Sequence, residues 1–439
     1  MPSFLDTSGF DFESDFRHLL TAKREGSPDV DAAVDRIIAD VRASGDAAII
    51  ALTEKFDGIS LTPETITFST AEIAEEIAKV PPKEAEALNL AADRIRSYHE
   101  RQLPEDVSWQ DETGAMLGWC WSPIEAAGLY VPGGLASYPS SVLMNAIPAQ
   151  VAGVSRMLIC CPTPGGVVNP LVIMAAQIAG VDTIYRVGGA QAIAALAYGT
   201  DSIAQVDKIT GPGNAFVTAA KRRVFGQVGI DMIAGPSEVL VIADQYNDPD
   251  WIAMDLLSQA EHDESARSIL ITDSENLAKS VADLIDKRLE SLERASIASA
   301  SWRDFGAIIV TRDLTEAASL SDRIAPEHLQ LCVKNPEEYA HHIRHAGAIF
   351  LGAWTPEAIG DYVGGPNHIL PTARSARFSS GLSVLDFMKR TTLAKMTPTA
   401  LAAIGPAAET LAKSESLQAH GISVSLRLKK IIDNSRNSE

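Results

Sequence analysis

EVLVIADQYNDPDWIAMDLLSQAEHDESARSILITD, residues 238–273, decides the fold. An unbroken apolar, β-branched run, EVLVIAD, is followed by a polar turn, a helical stretch and a second such run, SILITD. Asp248 suits the N-cap of that helix and Pro249 its first position. Strand, helix and strand in this order form the unit of a parallel sheet with crossover helices. The same punctuation recurs in RMLICCP, TIYRVGG and VDKITGPG upstream and in AIIVTRD downstream. The chain therefore predicts at least two α/β units, one over roughly 130–238 and one over 239–380. Before them, VDAAVDRIIADVRASGDAAIIALTEKFD and KEAEALNLAADRIRSYHERQ place apolar residues at i, i+3 and i+4, which predicts mostly helix over 1–110. After about 382 the pattern returns to helix in PAAETLAKSESLQAH and ISVSLRLKKIIDN. That tail is too small to bury itself and is expected to pack on another surface, such as a second subunit.

The chain has 439 residues, 46% of them hydrophobic, and a net charge of −20. Such a charge disfavours nucleic acid and anionic membrane as partners. The acidic N-terminus lacks the basic and apolar regions of a signal peptide, and no apolar run is long enough to span a bilayer, so a cytoplasmic protein is expected. The four cysteines, Cys120, Cys160, Cys161 and Cys332, form no CxxC pair. A disulfide framework, a thiolate metal site and a catalytic cysteine are all disfavoured.

Four glycine-rich turns follow strand-like runs: YVPGGLASYPSS (130–141), VGGAQAIAALAYGT (187–200), ITGPGNAF (209–216) and AGPSE (234–238). Turns at the carboxyl ends of parallel strands, opening helices, are where an α/β sheet offers N–H groups to phosphates. GPGNAF starts like a dinucleotide fingerprint but carries Phe216 in place of the third glycine, so an ordinary Rossmann motif is absent.

Proton carriers and metal ligands are scattered. Glu327 and His328 stand side by side in IAPEHLQL (324–331), at the start of a strand. Gln259 and His262 lie three apart near the end of the helix in 248–266, on one face. Asp361 and His368 flank a glycine pair in GDYVGGPNHILPT (360–372), and Glu415 and His420 sit in ESLQAH. Imidazole, carboxylate and amide groups are what a zinc ion accepts when thiolates are lacking. His341 and His345 also show i, i+4 spacing in PEEYAHHIRHAG, but their company of Glu337, Glu338 and Arg344 fits a solvated helix face better.

Taken together, these blocks resemble the histidinol dehydrogenase family. The resemblance runs from about residue 20 to about 428. It rests on GLYVPGGLASYPSSVLMNAIPAQVAGV, VGGAQAIAALAYGT, KITGPGNAFV, IDMIAGPSEVLVIAD, LLSQAEHD, APEHLQL, GDYVGGPNHILPT, FSSGLSVLDFMKR and ESLQAH, which occur in the family's order. The resemblance implies a zinc- and NAD-dependent oxidation of L-histidinol through L-histidinal to L-histidine, with two NAD+ reduced. It implies Gln259, His262, Asp361 and His420 as zinc ligands. Substrate contacts would be Ser237, Gln259, His262, His328, Asp361, Glu415 and His420. NAD contacts would be Tyr130, Gln191 and Asn214, and Glu327 and His328 would transfer protons. The role of His368 stays open.

The implied architecture is an intertwined homodimer of α/β subunits. Each subunit would have two modified, incomplete Rossmann-like parallel-sheet domains with small helical extensions. Residues 1–22 would form an N-terminal helical extension. Residues 23–129 and 239–382 would form the first α/β domain, with the catalytic pair and metal ligands, and 130–238 the NAD-binding domain. Residues 383–439 would be a helical tail reaching the partner's active site with Glu415 and His420. The alternatives are a paralogous zinc- and NAD-dependent dehydrogenase of another small alcohol, such as a sulfonated diol, a zinc hydrolase driven by Glu327, and an inactive imidazole-binding protein. The intact NAD contacts oppose the hydrolase, and the intact Glu327–His328 pair opposes the binding protein.

Overall fold

The computed structural model describes residues 2–21, 28–133, 138–233 and 235–436. Parts of two of the glycine-rich turns, 134–137 and Ala234, lie outside them. In chain order the strands are β1 (Ser3–Asp6), β2 (Val107–Gln110), β3 (Met116–Pro123), β4 (Ala126–Tyr130), β5 (Arg156–Cys160), β6 (Thr183–Tyr185), β7 (Lys208–Thr210), β8 (Gly229–Ile230), β9 (Glu238–Ala243), β10 (Arg267–Thr272), β11 (Ala307–Val310), β12 (His328–Cys332), β13 (Ala348–Leu351) and β14 (Met388–Lys395). The chain divides into two compact units. One is Met1–Gln102 with Ile124–Phe387, and the other is Leu103–Pro123 with Met388–Glu439.

The larger unit holds two parallel sheets, as the alternating strands and helices predict. One has six strands in the order β1-β11-β10-β9-β12-β13, and the other five in the order β6-β5-β4-β7-β8. In the six-stranded sheet, side chains alternate between two cores. Val239, Val241, Leu270, Ile308 and Cys332 pack on one face under the Pro249–Ala260 and Glu275–Leu289 helices. Leu240, Ile242, Ile269, Ile309 and Leu331 pack on the other with Phe16 and with Leu320 of the Leu314–Ile324 helix. This period of two, in strands apolar on both faces, marks a sheet covered by helices on both sides.

Three details differ from the sequence reading. Ser3–Asp6, inside the segment expected to be helical, is the edge strand β1, paired in parallel with β11. Its apolar pair Phe4–Leu5 is too short to carry a helical period. The Pro28–Ser44 and Asp46–Asp57 helices, grouped by resemblance with the first α/β domain, pack on the five-stranded sheet. Val34, Ile37, Ile38, Val41 and Ile49 share a core there with Ala192, Leu196 and Val217. The third difference concerns the Pro336–Ala340 helix, which stops before His341, so His341 and His345 never share a helical face.

The smaller unit is a three-stranded antiparallel sheet, β14-β3-β2, with two helices, Pro398–Ser414 and Gln418–Arg436, packed on each other. The tail is therefore not purely helical. Seven of the eight residues of β14 are exposed, so no buried face printed an alternating pattern into its sequence.

Candidate active site

The Leu314–Ile324 helix ends at Ala325, whose φ of 50° lies in the left-handed region. Pro326 then prevents the helix from resuming. The chain enters β12 directly, with Glu327 just before the strand and His328 as its first residue. Gly347 and Ala348 clamp this entry: Gly347 N–H donates to the Pro326 carbonyl at 3.0 Å and Ala348 N–H to the Glu327 carbonyl at 2.9 Å. A Cβ on Gly347 would lie 2.5 Å from the Glu327 carbonyl oxygen, so the approach requires glycine.

Glu238, the first residue of β9, holds both members of the pair. Its N–H donates to Glu327 Oε2 at 2.9 Å, and its carbonyl lies 3.0 Å from His328 Nδ1. A carbonyl only accepts, so Nδ1 carries the hydrogen and Nε2 keeps its lone pair. Burial lowers the His328 imidazole to about 4, which leaves it neutral at pH 7. Burial raises the Glu327 carboxyl well above its usual range, against the pull of the Glu238 N–H. Among the described residues His328 Nε2 is buried with no hydrogen-bond partner, and it lies 3.6 Å from Glu357 Oε1, which also has none. Burial raises the Glu357 carboxyl as well, with the Asp361 charge next in importance.

Two helices deliver the other groups. The Pro249–Ala260 crossover helix, capped by Asp248, runs back from the end of β9. Its C-terminal end, with Gln259, therefore returns to the edge of the sheet where β9 and β12 begin, and His262 follows in the next turn. The short Glu357–Tyr362 helix after β13 carries Asp361, and its Glu357 N–H donates to Gln330 Oε1 of β12 at 3.2 Å. His262 Nε2 comes within 3.9 Å of Asp361 Oδ2, and Gln259 Nε2 within 3.4 Å of His262 Nδ1. His368 Nδ1 is 3.4 Å from Asp361 Oδ1, and its Nε2 is 3.2 Å from Ser141 Oγ. Burial opposes ionisation of Asp361, yet the hydrogen bond from His368 and the surrounding imidazoles hold its carboxyl below the usual range.

This cluster suits a metal. Gln259 Oε1 is buried and has no hydrogen-bond partner among the described residues, which fits an oxygen that binds a cation. His328, Glu357 and Asp361 each offer one ligand atom within 4.8 Å of the others. Amide oxygen, imidazole and carboxylate donors fit a divalent cation that accepts nitrogen and oxygen. Three of the four expected ligands, Gln259, His262 and Asp361, thus come together. Ser237 immediately precedes β9, and its carbonyl accepts from Arg267 N–H at 2.9 Å. Glu415 and His420 lie in the smaller unit, where both are exposed: Glu415 caps the Pro398–Ser414 helix, and His420 is in the first turn of the next helix.

Two features escaped the sequence reading. Glu357 stands one helical turn before Asp361, and that i, i+4 spacing was the available signal. Glu238 contributes through its backbone, which no side-chain pattern reveals.

Tyr130, Gln191 and Asn214 gather at the carboxyl edge of the five-stranded sheet. Tyr130 ends β4, buried, and its hydroxyl accepts from Gly189 N–H at 3.1 Å. Gln191 is buried in the first turn of the Gly189–Tyr198 helix. Asn214 caps the Ala215–Val224 helix, with Oδ1 accepting from Phe216 and Val217 N–H, which leaves its amide donors free. Gly211 has a φ of 115°, and a Cβ there would collide with the Tyr130 carbonyl. Asp231 Oδ2 accepts from Gly211 N–H at 2.8 Å and Lys221 Nζ donates to its carbonyl at 2.9 Å. Lys221 and Asp231 also form a buried ion pair. The thiols are unsuited to nucleophilic chemistry, since burial pushes those of Cys161 and Cys332 up to about 12.

The family described as histidinol dehydrogenase matches residues 20–428. This chain belongs to the histidinol dehydrogenase family. It is 71% identical to the histidinol dehydrogenase of Cereibacter sphaeroides over 431 residues, 98% of this chain and 99% of that one. It is 72% identical to that of Ruegeria pomeroyi over 98% and 100% of the two chains. A crystal structure of histidinol dehydrogenase from Elizabethkingia anophelis superposes with a TM-score of 0.94 at 38% identity, covering 98% of each chain. Members of this family are NAD-dependent oxidoreductases of histidine biosynthesis, and the likeness extends over the whole chain, which disfavours the paralogue acting on another alcohol. Among the described residues, no helix is long and apolar enough to cross a membrane.

Proposed function

We propose that the chain oxidises L-histidinol through L-histidinal to L-histidine, reduces two NAD+ and uses zinc. The observation that carries the residue roles is the lone pair of His328 Nε2: the atom is buried, has no hydrogen-bond partner among the described residues, and is left unprotonated by the Nδ1–H bond to the Glu238 carbonyl. His328 would take the hydroxyl proton of histidinol as its carbinol carbon is oxidised. It does the same for the hydrated aldehyde in the second oxidation. Glu327 deprotonates the water that adds to the histidinal carbonyl. NAD+, when bound, supplies the hydride acceptor for both steps.

Gln259, His262 and Asp361 would hold the zinc, with His420 as the fourth ligand. The ion would supply a Lewis acid toward the substrate's imidazole and amine nitrogens. Ser237, Gln259, His262, His328, Asp361, Glu415 and His420 would line the histidinol site, and Glu415 would accept the substrate's imidazole N–H. Tyr130, Gln191 and Asn214 would contact NAD+. We assign Glu415 and His420 to the active site of a partner subunit in a homodimer. The exposed Leu411, Leu426 and Ile432 of the tail helices support that reading, since a solitary subunit leaves them in water. A cytoplasmic location fits the chemistry.

His328→Ala tests the proposal directly: kcat for histidinol should fall by about a hundredfold or more while zinc content and the unfolding temperature hold. Retained turnover would refute the base assignment.

A further inference from the structure

Asp57 ends the Asp46–Asp57 helix, and Gly58 closes it with a left-handed φ of 67°. A carboxylate there opposes the helix dipole, which favours a cation at that end. Asp57 Oδ2 is nevertheless buried and has no hydrogen-bond partner among the described residues. Burial alone shifts its carboxyl, upward, so no cation offsets the desolvation. The Asp46–Asp57 helix packs against the Pro164–Gly166 turn that follows β5, and a Cβ on Gly166 would lie 3.7 Å from Ile59 Cδ1, so the end of this helix lies beside the edge where β5 ends. The same edge carries two more buried hydroxyls without partners among the described residues, Thr163 Oγ1 just after β5 and Thr210 Oγ1 at the end of β7. A fold keeps such unsatisfied groups together where something outside the chain completes them.

We propose that the Asp57 carboxylate accepts a hydrogen bond from a ribose hydroxyl of NAD+. The inference rests on the assignment of this edge to NAD+ through Tyr130, Gln191 and Asn214. An anion repels phosphate but pairs with a hydroxyl donor, and the ribose diols are the strongest hydroxyl donors a dinucleotide carries. Carboxylates meet ribose hydroxyls at the carboxyl edge of parallel sheets in dinucleotide-binding folds generally. Where the adenosine ribose is the one read, the charge of Asp57 also disfavours a 2′-phosphate and selects NAD+ over NADP+.

The test is calorimetric binding to the zinc-loaded protein, without turnover, for the wild type, Asp57→Asn and Gln191→Ala. Asp57→Asn should weaken NAD+ about tenfold and, where the adenosine ribose is the one read, narrow the preference over NADP+. Its unfolding temperature should be unchanged or higher, because an unpaired buried charge is removed. AMP and nicotinamide mononucleotide, titrated separately, tell which ribose is read, and a loss with either one supports the inference. Unchanged NAD+ affinity in Asp57→Asn, with a loss in Gln191→Ala, overturns the inference and leaves the edge assignment standing. Unchanged affinity in both variants overturns the edge assignment and the inference with it.

Discussion

His328 Nδ1–H donates to the carbonyl oxygen of Glu238 at 3.0 Å, and the same residue's N–H holds Glu327 Oε2 at 2.9 Å. One residue of β9 thus fixes the tautomer of His328 and the orientation of the neighbouring carboxylate. The register of two parallel strands, with His328 opposite Val239, sets this geometry. The pre-organisation of this pair is a consequence of sheet pairing.

Glu327→Gln should damage oxidation of histidinal more than oxidation of histidinol, because only the aldehyde needs an added water. The amide keeps an oxygen for the Glu238 N–H but no longer offers a carboxylate to deprotonate water. Steady-state rates measured separately on the two substrates decide this. Equal losses would remove the division of labour between Glu327 and His328.

Asp361→Asn should lower zinc content after dialysis, measured by elemental analysis, and Gln259→Ala should do the same. A carboxylate gives more to the cation than a neutral amide, so the Asp361 change should be the larger. Full metal occupancy in both variants would show that the cation sits elsewhere. His368 hydrogen-bonds Asp361 from the side away from His262, so His368→Ala should weaken metal retention by a smaller factor, about tenfold.

Asp231→Asn should destabilise the protein by about 3 kcal/mol in chemical denaturation, because it leaves the buried Lys221 ammonium without its counter-ion. It also loosens the Gly211 turn, whose N–H and carbonyl are held by this pair. A rise in the KM for NAD+ without a matching fall in kcat is therefore expected. Wild-type stability would mean that the pair is dispensable.

Glu316 receives hydrogen bonds from Arg312, the Arg312 N–H and Thr7 Oγ1, and its carboxyl is held at about 2, with Arg312 the largest cause. Its folded value lies below its ordinary 4.5, so the stability it contributes is present above 4.5 and is lost as pH falls toward 2. Glu316→Gln should lower the unfolding temperature at pH 7, and its deficit relative to wild type should shrink across that window. A deficit that persists at pH 2 would assign the effect to shape rather than charge.

The alternation of apolar strands and crossover helices was legible because both faces of the parallel sheets are buried, and burial writes itself into composition. EVLVIAD and SILITD are β9 and β10 almost to the residue. β14 was not legible, since MKRTTLAK is exposed almost throughout and its pairing with β3 rests on backbone bonds. Pro28–Ser44 and Asp46–Asp57 showed their helical period but not the sheet they cover, because an apolar stripe does not name its partner. In the site, Gln259, His262, Asp361, Glu327 and His328 were visible as side chains of the right chemistry. Glu238 acts through its peptide group, and Asp57 is conspicuous only because no described residue satisfies its Oδ2.

The most direct measurement is the yield of NADH, followed by absorbance, when purified protein and excess NAD+ are given limiting L-histidinol, with and without a chelator. Two NADH per histidinol, abolished by chelation and restored by zinc, is the predicted result. No NADH from histidinol, or a yield indifferent to metal removal, would contradict the proposed zinc-dependent four-electron oxidation.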